Sequence, residues 1–366
     1  MKADCSKDLL AEVLNKLEKI AGKHQTLPVL SGILIEAEKG SLVLKATNLD
    51  VAAEFVLPAK VEEAGRTVVP AAALASFATN LSGGKNIRLE LSQNNLKLVA
   101  PNNTALIKTL PVEEFPSLPE VVSGQIFTLM AKDLVKGLVS VAYSSAGHSL
   151  KPELASVSLR GDGESLVFAA TDSFRLAEKK IKIKKDLDFN PILVPVKNAN
   201  EIVRLLEKIN GEVEIKIDKN QMAVSAEGLT IITRLVDGLF PDYQQIIPKE
   251  KQTEATVLKQ DLLNALKLSN IFSGKFNQIN FSIKPTSKTF KISSKTAELG
   301  ENEQNLDAAL SGEEVDVNFN YRYISDSFQS IDSDSINLSF SGQNRAMVIT
   351  AVGDRSFLYL VMPMNK

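Results

Sequence analysis

The side chains that carry most metal and nucleophile chemistry are nearly missing from this sequence. Cys5 is its one cysteine, and His24 and His148 are its two histidines. That scarcity excludes a disulfide framework and a Cys/His zinc site, and it fits a reducing, cytosolic compartment. Long apolar runs are missing as well. The stretch from Leu9 to Ile20 is broken by Glu12, Lys16 and Glu18, and nothing approaches the ~20 apolar residues that a membrane span needs. Nor is one sign of charge in excess: 42 Lys and Arg stand against 44 Asp and Glu, a net charge of −2. A phosphate-bearing partner would therefore need cations gathered on one face. The patterns GxxxxGK[ST], HExxH and GxSxG do not occur. No catalytic residue, metal or cofactor is expected, and the competing class to weigh is a protein-binding scaffold rather than an enzyme.

What the chain has is an internal echo. Lys132-Asp133-Leu134-Val135, running on through Leu138, repeats the pattern of Lys7-Asp8-Leu9-Leu10 and returns as Gln260-Asp261-Leu262-Leu263. Asp133 lies 125 residues after Asp8, and Asp261 lies 128 after Asp133. Each copy spaces its apolar residues as one helical stripe, with an acid in the first turn where the helix dipole favours it. Other landmarks keep the interval. Pro70, Pro195 and Asn320 are 125 residues apart, as are Phe115-Pro116 and Phe240-Pro241. For 366 residues this selects three domains, expected at 1–121, 125–247 and 254–366.

Each third reads as helix, strands, helix, strands, an α+β architecture of three tandem like domains. The second helices should open at Pro70 (burying Leu74, Phe77 and Leu81), at Pro195 (Ile202, Val203, Leu206 and Ile209) and at Asn320 (Tyr323, Ile324 and Phe328). Arg160-Gly161-Asp162-Gly163-Glu164 reads as a hairpin turn. Two helices per domain, each about 10 Å wide, would enclose a bore of roughly 9 Å in one chain and roughly 28 Å in two. Only the latter admits a duplex about 20 Å across. The expectation is a ring with helices lining the inside and antiparallel sheets outside.

Four stretches also carry a resemblance: Thr26-Leu27-Pro28-Val29-Leu30, Ala170-Thr171-Asp172-Ser173-Phe174-Arg175-Leu176-Ala177, Leu235-Val236-Asp237-Gly238-Leu239-Phe240-Pro241-Asp242-Tyr243 and Val361-Met362-Pro363-Met364. The chain resembles the family of bacterial replicative sliding clamps, the β subunits of DNA polymerase III holoenzyme, from end to end. The resemblance implies a non-catalytic, head-to-tail homodimer around double-stranded DNA. Its partners would be the polymerase III α subunit, the clamp loader, and other polymerases and repair proteins, which bind through short linear peptides.

The resemblance implies a peptide pocket of Leu154, Thr171, Phe174, Arg175, Leu176, Pro241, Ile246, Val361, Met362, Pro363 and Met364, with Asn320 and Tyr323 at the rim. Apolar and methionine walls suit varied peptide anchors. Ser173 stands where the family commonly has Gly, and Phe174 where it often has His. Candidates for the DNA face are Lys23, Lys151, Lys197, Arg204 and Lys208, long cations of the kind that contact phosphate, with His24 and His148 in loops where the family approaches DNA. For the dimer seam they are Ile271, Phe272 and Phe276 against Phe77 and Leu106 of the second copy.

Overall fold

The computed structural model describes all residues except 23–26, 148–149 and 365–366. In chain order it runs β1 (Lys2–Ser6), α1 (Lys7–Glu18), β2 (Gly32–Glu38), β3 (Ser41–Thr47), β4 (Val51–Glu63), β5 (Gly65–Pro70), α2 (Ala71–Asn80), β6 (Asn86–Ser92), β7 (Asn95–Ala100) and β8 (Asn103–Lys108). Then follow β9 (Gln125–Met130), α3 (Ala131–Ala142), β10 (Ser156–Thr171), β11 (Arg175–Pro195), α4 (Val196–Leu206), β12 (Glu212–Ile217), β13 (Gln221–Ala226) and β14 (Leu229–Arg234). The last stretch is β15 (Thr253–Leu258), α5 (Lys259–Asn270), β16 (Gln278–Lys284), β17 (Thr289–Thr296), β18 (Gly300–Leu306), β19 (Ala308–Gly312), β20 (Val315–Asn320), α6 (Tyr321–Ser327), β21 (Ser335–Phe340), β22 (Met347–Ala351) and β23 (Asp354–Val361).

The helical stripes are where the sequence pattern puts them. In α1, Leu10, Val13, Leu14 and Leu17 are buried, and Ser6 caps the start by accepting from Leu9 N–H (3.5 Å). Asn320 caps α6 in the same way, accepting from Arg322 N–H at 3.0 Å. The prolines differ from expectation. Pro70 and Pro195 are the last residues of β5 and β11, and helix begins one residue later. The inward face of α4 is Ala199, Ile202, Leu205 and Leu206, so Leu205 takes the place expected for Val203. Gly137 in α3 has a packing reason: a Cβ there would sit 2.4 Å from the Phe168 ring.

The chain folds as two units, with divisions inside α3, inside α4 and just after β14. The first comprises Met1–Val135 and Asn200–Leu235, the second Lys136–Ala199 and Val236–Lys366. In the first unit one sheet runs β8-β7-β6-β1-β4-β14-β13-β12-β9, with β2, β3 and β5 branching from β4. It is made continuous by the antiparallel pairing of β4 with β14, Val51 opposite Thr233 and Phe55 opposite Leu229. Helices α1 and α2 pack together, and Thr79 Oγ1 donates to Asn15 Oδ1 across them (3.1 Å).

The second unit has two sheets, β10-β11-β23-β22-β21-β15-β19 and β18-β17-β16-β20. The first is joined by β11 and β23, Arg175 opposite Val361 and Lys179 opposite Phe357. The second is backed by Phe281, Phe290 and Phe319, whose rings meet edge-on at centroid distances of 5.4 and 5.6 Å. Such pairs add about 1 kcal/mol each beyond the burial itself. Arg160–Glu164 is not the expected hairpin turn. Those residues stay within β10, opposite Leu187–Phe189, and the register slips at Leu159/Gly161 and Gly163/Ser165. The glycines there absorb bulges instead of reversing the chain.

Candidate functional site

The cleft in the second unit is organised by a five-residue turn between β10 and β11. Thr171 Oγ1 donates to the Arg175 carbonyl (2.7 Å) and accepts from Ser173 N–H (3.1 Å). Asp172 Oδ1 accepts from both Phe174 and Arg175 N–H at 3.0 Å. Short polar side chains thus replace the ladder where the strand reverses. Ser173 sits at φ +77°, in the left-handed region that favours glycine.

Arg175 leaves this turn as a half-buried strut. Its Nε donates to Asp172 Oδ2 (2.9 Å) and its Nη1 to Asp326 Oδ2 (2.5 Å). Its guanidinium lies 4.7 Å from the Tyr323 ring centroid and 6.0 Å from that of Tyr143. Burial works against its charge, yet the neighbouring Tyr359, Asp326 and Asp172 hold its pKa above the ordinary arginine value. Arg175 therefore holds the wall, with its charge committed to carboxylates inside the unit.

Around this strut lies an open cavity of about 230 Å³. It is lined by Leu154, Thr171, Ser173, Arg175, Leu176, Pro241, Tyr243, Ile246, Ala346, Leu360 and Met362. Seven of the residues named from sequence are brought together here: Leu154, Thr171, Arg175, Leu176, Pro241, Ile246 and Met362. Others lie apart from the lining. The Phe174 side chain is 62% exposed at the tip of the turn, and its carbonyl accepts from Met362 N–H at 2.8 Å. Val361 is fully buried on the other face of β23. Met364 N–H donates to the Asn318 carbonyl (2.8 Å), and Pro363, between Met362 and Met364 in the chain, is not part of the lining. Asn320 is occupied as the cap of α6, and Tyr323 touches the site through Arg175.

Four lining residues fall outside the set expected from sequence: Ser173, Tyr243, Ala346 and Leu360. The alternation of β23 carries the missing signal, because side chains two apart share a face and Leu360 must accompany Met362. Tyr243 packs with Leu176, Ala346, Val348 and Leu360, while its hydroxyl donates to Glu178 Oε2 at 2.5 Å. Burial and then the adjacent carboxylate push the Tyr243 phenol above its ordinary pKa, so it stays a donor.

The residues named for nucleic acid are in different situations. Lys23, His24 and His148 lie outside the described residues. Lys151 and Lys197 are exposed. Arg204 is turned back onto Glu201, its Nε 2.9 Å from Oε2. Lys208 is 71% exposed, with its ammonium 3.5 Å from Glu12 Oε1, a carboxylate that Lys16 also approaches at 3.6 Å. Of the seam candidates, Phe276 is 76% and Leu106 65% exposed, and Ile271 is exposed too. Phe77 and Phe272 are half-buried. No helix among the described residues is long and apolar enough to cross a membrane.

Comparison with known proteins agrees along the whole chain. Residues 1–119, 128–242 and 244–365 match the family models for the N-terminal, central and C-terminal domains of the DNA polymerase III beta subunit. The chain is 28% identical to the beta sliding clamp of Buchnera aphidicola over 371 residues and 27% identical to that of Escherichia coli K12 over 370, all of both chains being covered each time. Its fold is similar to that of the Pseudomonas aeruginosa sliding clamp bound to griselimycin, with a TM-score of 0.96 and 25% identity over the full length of both chains. With three successive domain matches spanning almost every residue, the chain belongs to the DNA polymerase III beta subunit family.

Proposed function

We propose that the residues described above carry the work of a DNA sliding clamp: a homodimeric ring around duplex DNA that tethers the replicative polymerase and catalyses nothing. Its relatives in Buchnera aphidicola, Escherichia coli and Bacillus subtilis bear that name. The place of such a protein is the cytoplasm, with the chromosome.

One observation carries the dimer. Val51, Arg175 and Gly300 open equivalent strands at intervals of 124 and 125 residues. The first of these strands, β4, takes β14 as its neighbour, and the second, β11, takes β23. The third, β18, is the outermost strand of its sheet, and β8, the counterpart of β14 one repeat earlier, is outermost in its own. Two of three equivalent joints are thus closed within the chain and the parts of the third are left as open edges, which invite pairing. Pairing β18 with β8 of a second copy, head to tail and twice, closes the array. Carrying the β4–β14 register across sets Glu301 opposite Leu106 and Glu303 opposite Thr104 of the next copy. Leu106, Ile271 and Phe276 would then lose their exposure, with Phe77 and Phe272 supporting the seam.

The Leu154–Met362 cleft is the docking point for short linear peptides of the polymerase α subunit, the clamp loader, and other polymerases and repair proteins. Apolar anchors enter between Leu176, Ile246, Leu360 and Met362, and the flexible thioether lets the wall adapt. Arg175 positions that wall. On the DNA side the exposed Lys151 and Lys197 are candidates, with Lys208 able to exchange Glu12 for phosphate. Arg204 would have to release Glu201 first. Lys23, His24 and His148 remain part of the same proposal.

Light scattering should give a particle near twice 39.8 kDa. Loaded protein should stay on closed circular DNA and be lost when that DNA is cut. A monomer would sink the ring, and retention that survives cutting would mean grip by affinity instead of enclosure.

A further inference from the structure

The turn that organises the cleft occurs a second time, at the joint between β4 and β14. Thr47 Oγ1 donates to the Val51 carbonyl (2.9 Å) and accepts from Leu49 N–H (3.0 Å). Asn48 Oδ1 accepts from Asp50 N–H (3.0 Å) and Val51 N–H (2.8 Å). These are the four bonds of Thr171–Arg175, one repeat earlier. The left-handed residue recurs as well, Leu49 at φ +76° for Ser173 at φ +77°. Strand register then maps one lining onto the other, since Ala52 faces Ile232 as Leu176 faces Leu360.

At this place the first unit holds an open cavity of about 310 Å³, among whose walls are Leu49, Val51, Leu118, Gln221, Ile232 and Arg234. Ala52 and Ile232 of its lining belong to an apolar cluster with Val121 and Ala223, against which Leu118 of the linker packs. A repeated joint could be scaffolding alone, in which case its cavity should be plugged and its rim neutral. Neither holds. Leu118 occupies the place of Tyr243 with a smaller side chain, and Leu49 stays substantially exposed. Arg234 replaces Met362 on the rim, is exposed, and has no carboxylate within ion-pair distance among the described residues.

We propose that this groove is a second peptide site, selective for a short extended segment with an apolar side chain and a single carboxylate. The apolar group lies between Leu49 and Leu118, and the carboxylate pairs with the Arg234 guanidinium, whose planar fork matches it. The Gln221 amide can both donate to and accept from the peptide backbone. Asp50 shares the rim. The inference rests on reading the Leu154–Met362 cleft as a peptide site, with Arg234 giving the groove a different preference.

The test uses the full-length dimer, titration calorimetry and two N-acetylated hexapeptides of alanine and leucine, identical except that one ends in a free carboxylate and the other in an amide. The free-carboxylate peptide should titrate two classes of site. Met362→Asp should remove one class. Adding Arg234→Ala should weaken the remaining class at least tenfold, and amidation should do the same to the parent peptide. Leu49→Asp serves as a second variant with the same expected loss. Residual binding that ignores Arg234→Ala, Leu49→Asp and amidation overturns the inference. So does a Met362→Asp protein that binds nothing, an outcome that leaves the cleft reading intact. Should Met362→Asp change nothing, the cleft reading falls while Arg234→Ala still decides the groove.

Discussion

The turns at Thr47–Val51 and Thr171–Arg175 share a hydrogen-bond pattern and differ in what the last residue carries. Val51 is buried and apolar, so the first turn ends in packing. Arg175 is tied to Asp172 and Asp326 and stacked on Tyr323, so the second ends in a charged strut. The backbone of a repeat is specified by Thr and Asx side chains acting locally, whereas its chemistry is specified by residues arriving from strands far away in sequence. One fold can therefore offer two clefts with separate tastes.

The sharpest way to break that comparison is to remove the rim of the Leu154–Met362 cleft. Deleting residues 362–366 should reduce peptide affinity by about 2 kcal/mol or more, roughly 30-fold, as loss of a central anchor does. Titration calorimetry reads the affinity and light scattering the dimer, which should persist. Next, Arg175→Val makes the second turn like the first. It strands Asp172 and Asp326, and should cost about 2 kcal/mol of stability in chemical denaturation while weakening peptide capture about tenfold. Tyr243→Leu copies the linker residue Leu118 and leaves Glu178 without its donor. About 1–2 kcal/mol should be lost, read as a lower denaturation midpoint. Smallest in stability is Lys197→Ala with Lys208→Ala, expected within about 0.5 kcal/mol of the parent. Its readout is DNA: loading yield should fall, and the slope of log affinity against log salt should flatten by about 2 if both lysines meet phosphate.

Much of this is legible in the sequence, and the gaps have particular causes. The helices announce themselves through Asp8, Asp133 and Asp261 and the stripes behind them. The short strands β1, β9 and β15 do not, because Lys2–Ser6 and its counterparts alternate over too few residues to stand out from a loop. The stretch Arg160–Glu164 has the composition of a turn, but its pairing with Leu187–Phe189 holds it in the ladder. Tertiary pairing overrides local preference. In the cleft, a contiguous motif suggests a contiguous lining. Strand geometry forbids that: Leu360 and Met362 face the cavity, while Val361 lies opposite them in the core. Tyr243 sits inside one of the motifs, yet only the fold reveals its reach to Glu178. Arg175 is legible too, although its sequence neighbours give no hint that Asp326, 151 residues on, holds it.

The unfilled edges at β8 and β18 have one more consequence. In the proposed assembly each seam is built from the same two strands, so any substitution at Leu106 or Phe276 is present at both. Its energetic effect on whole-particle dissociation is doubled, and an equilibrium constant changes as the square of the single-seam factor. Parting one seam, by contrast, feels the substitution only once, so a gate can open while the opposite hinge still holds the halves together.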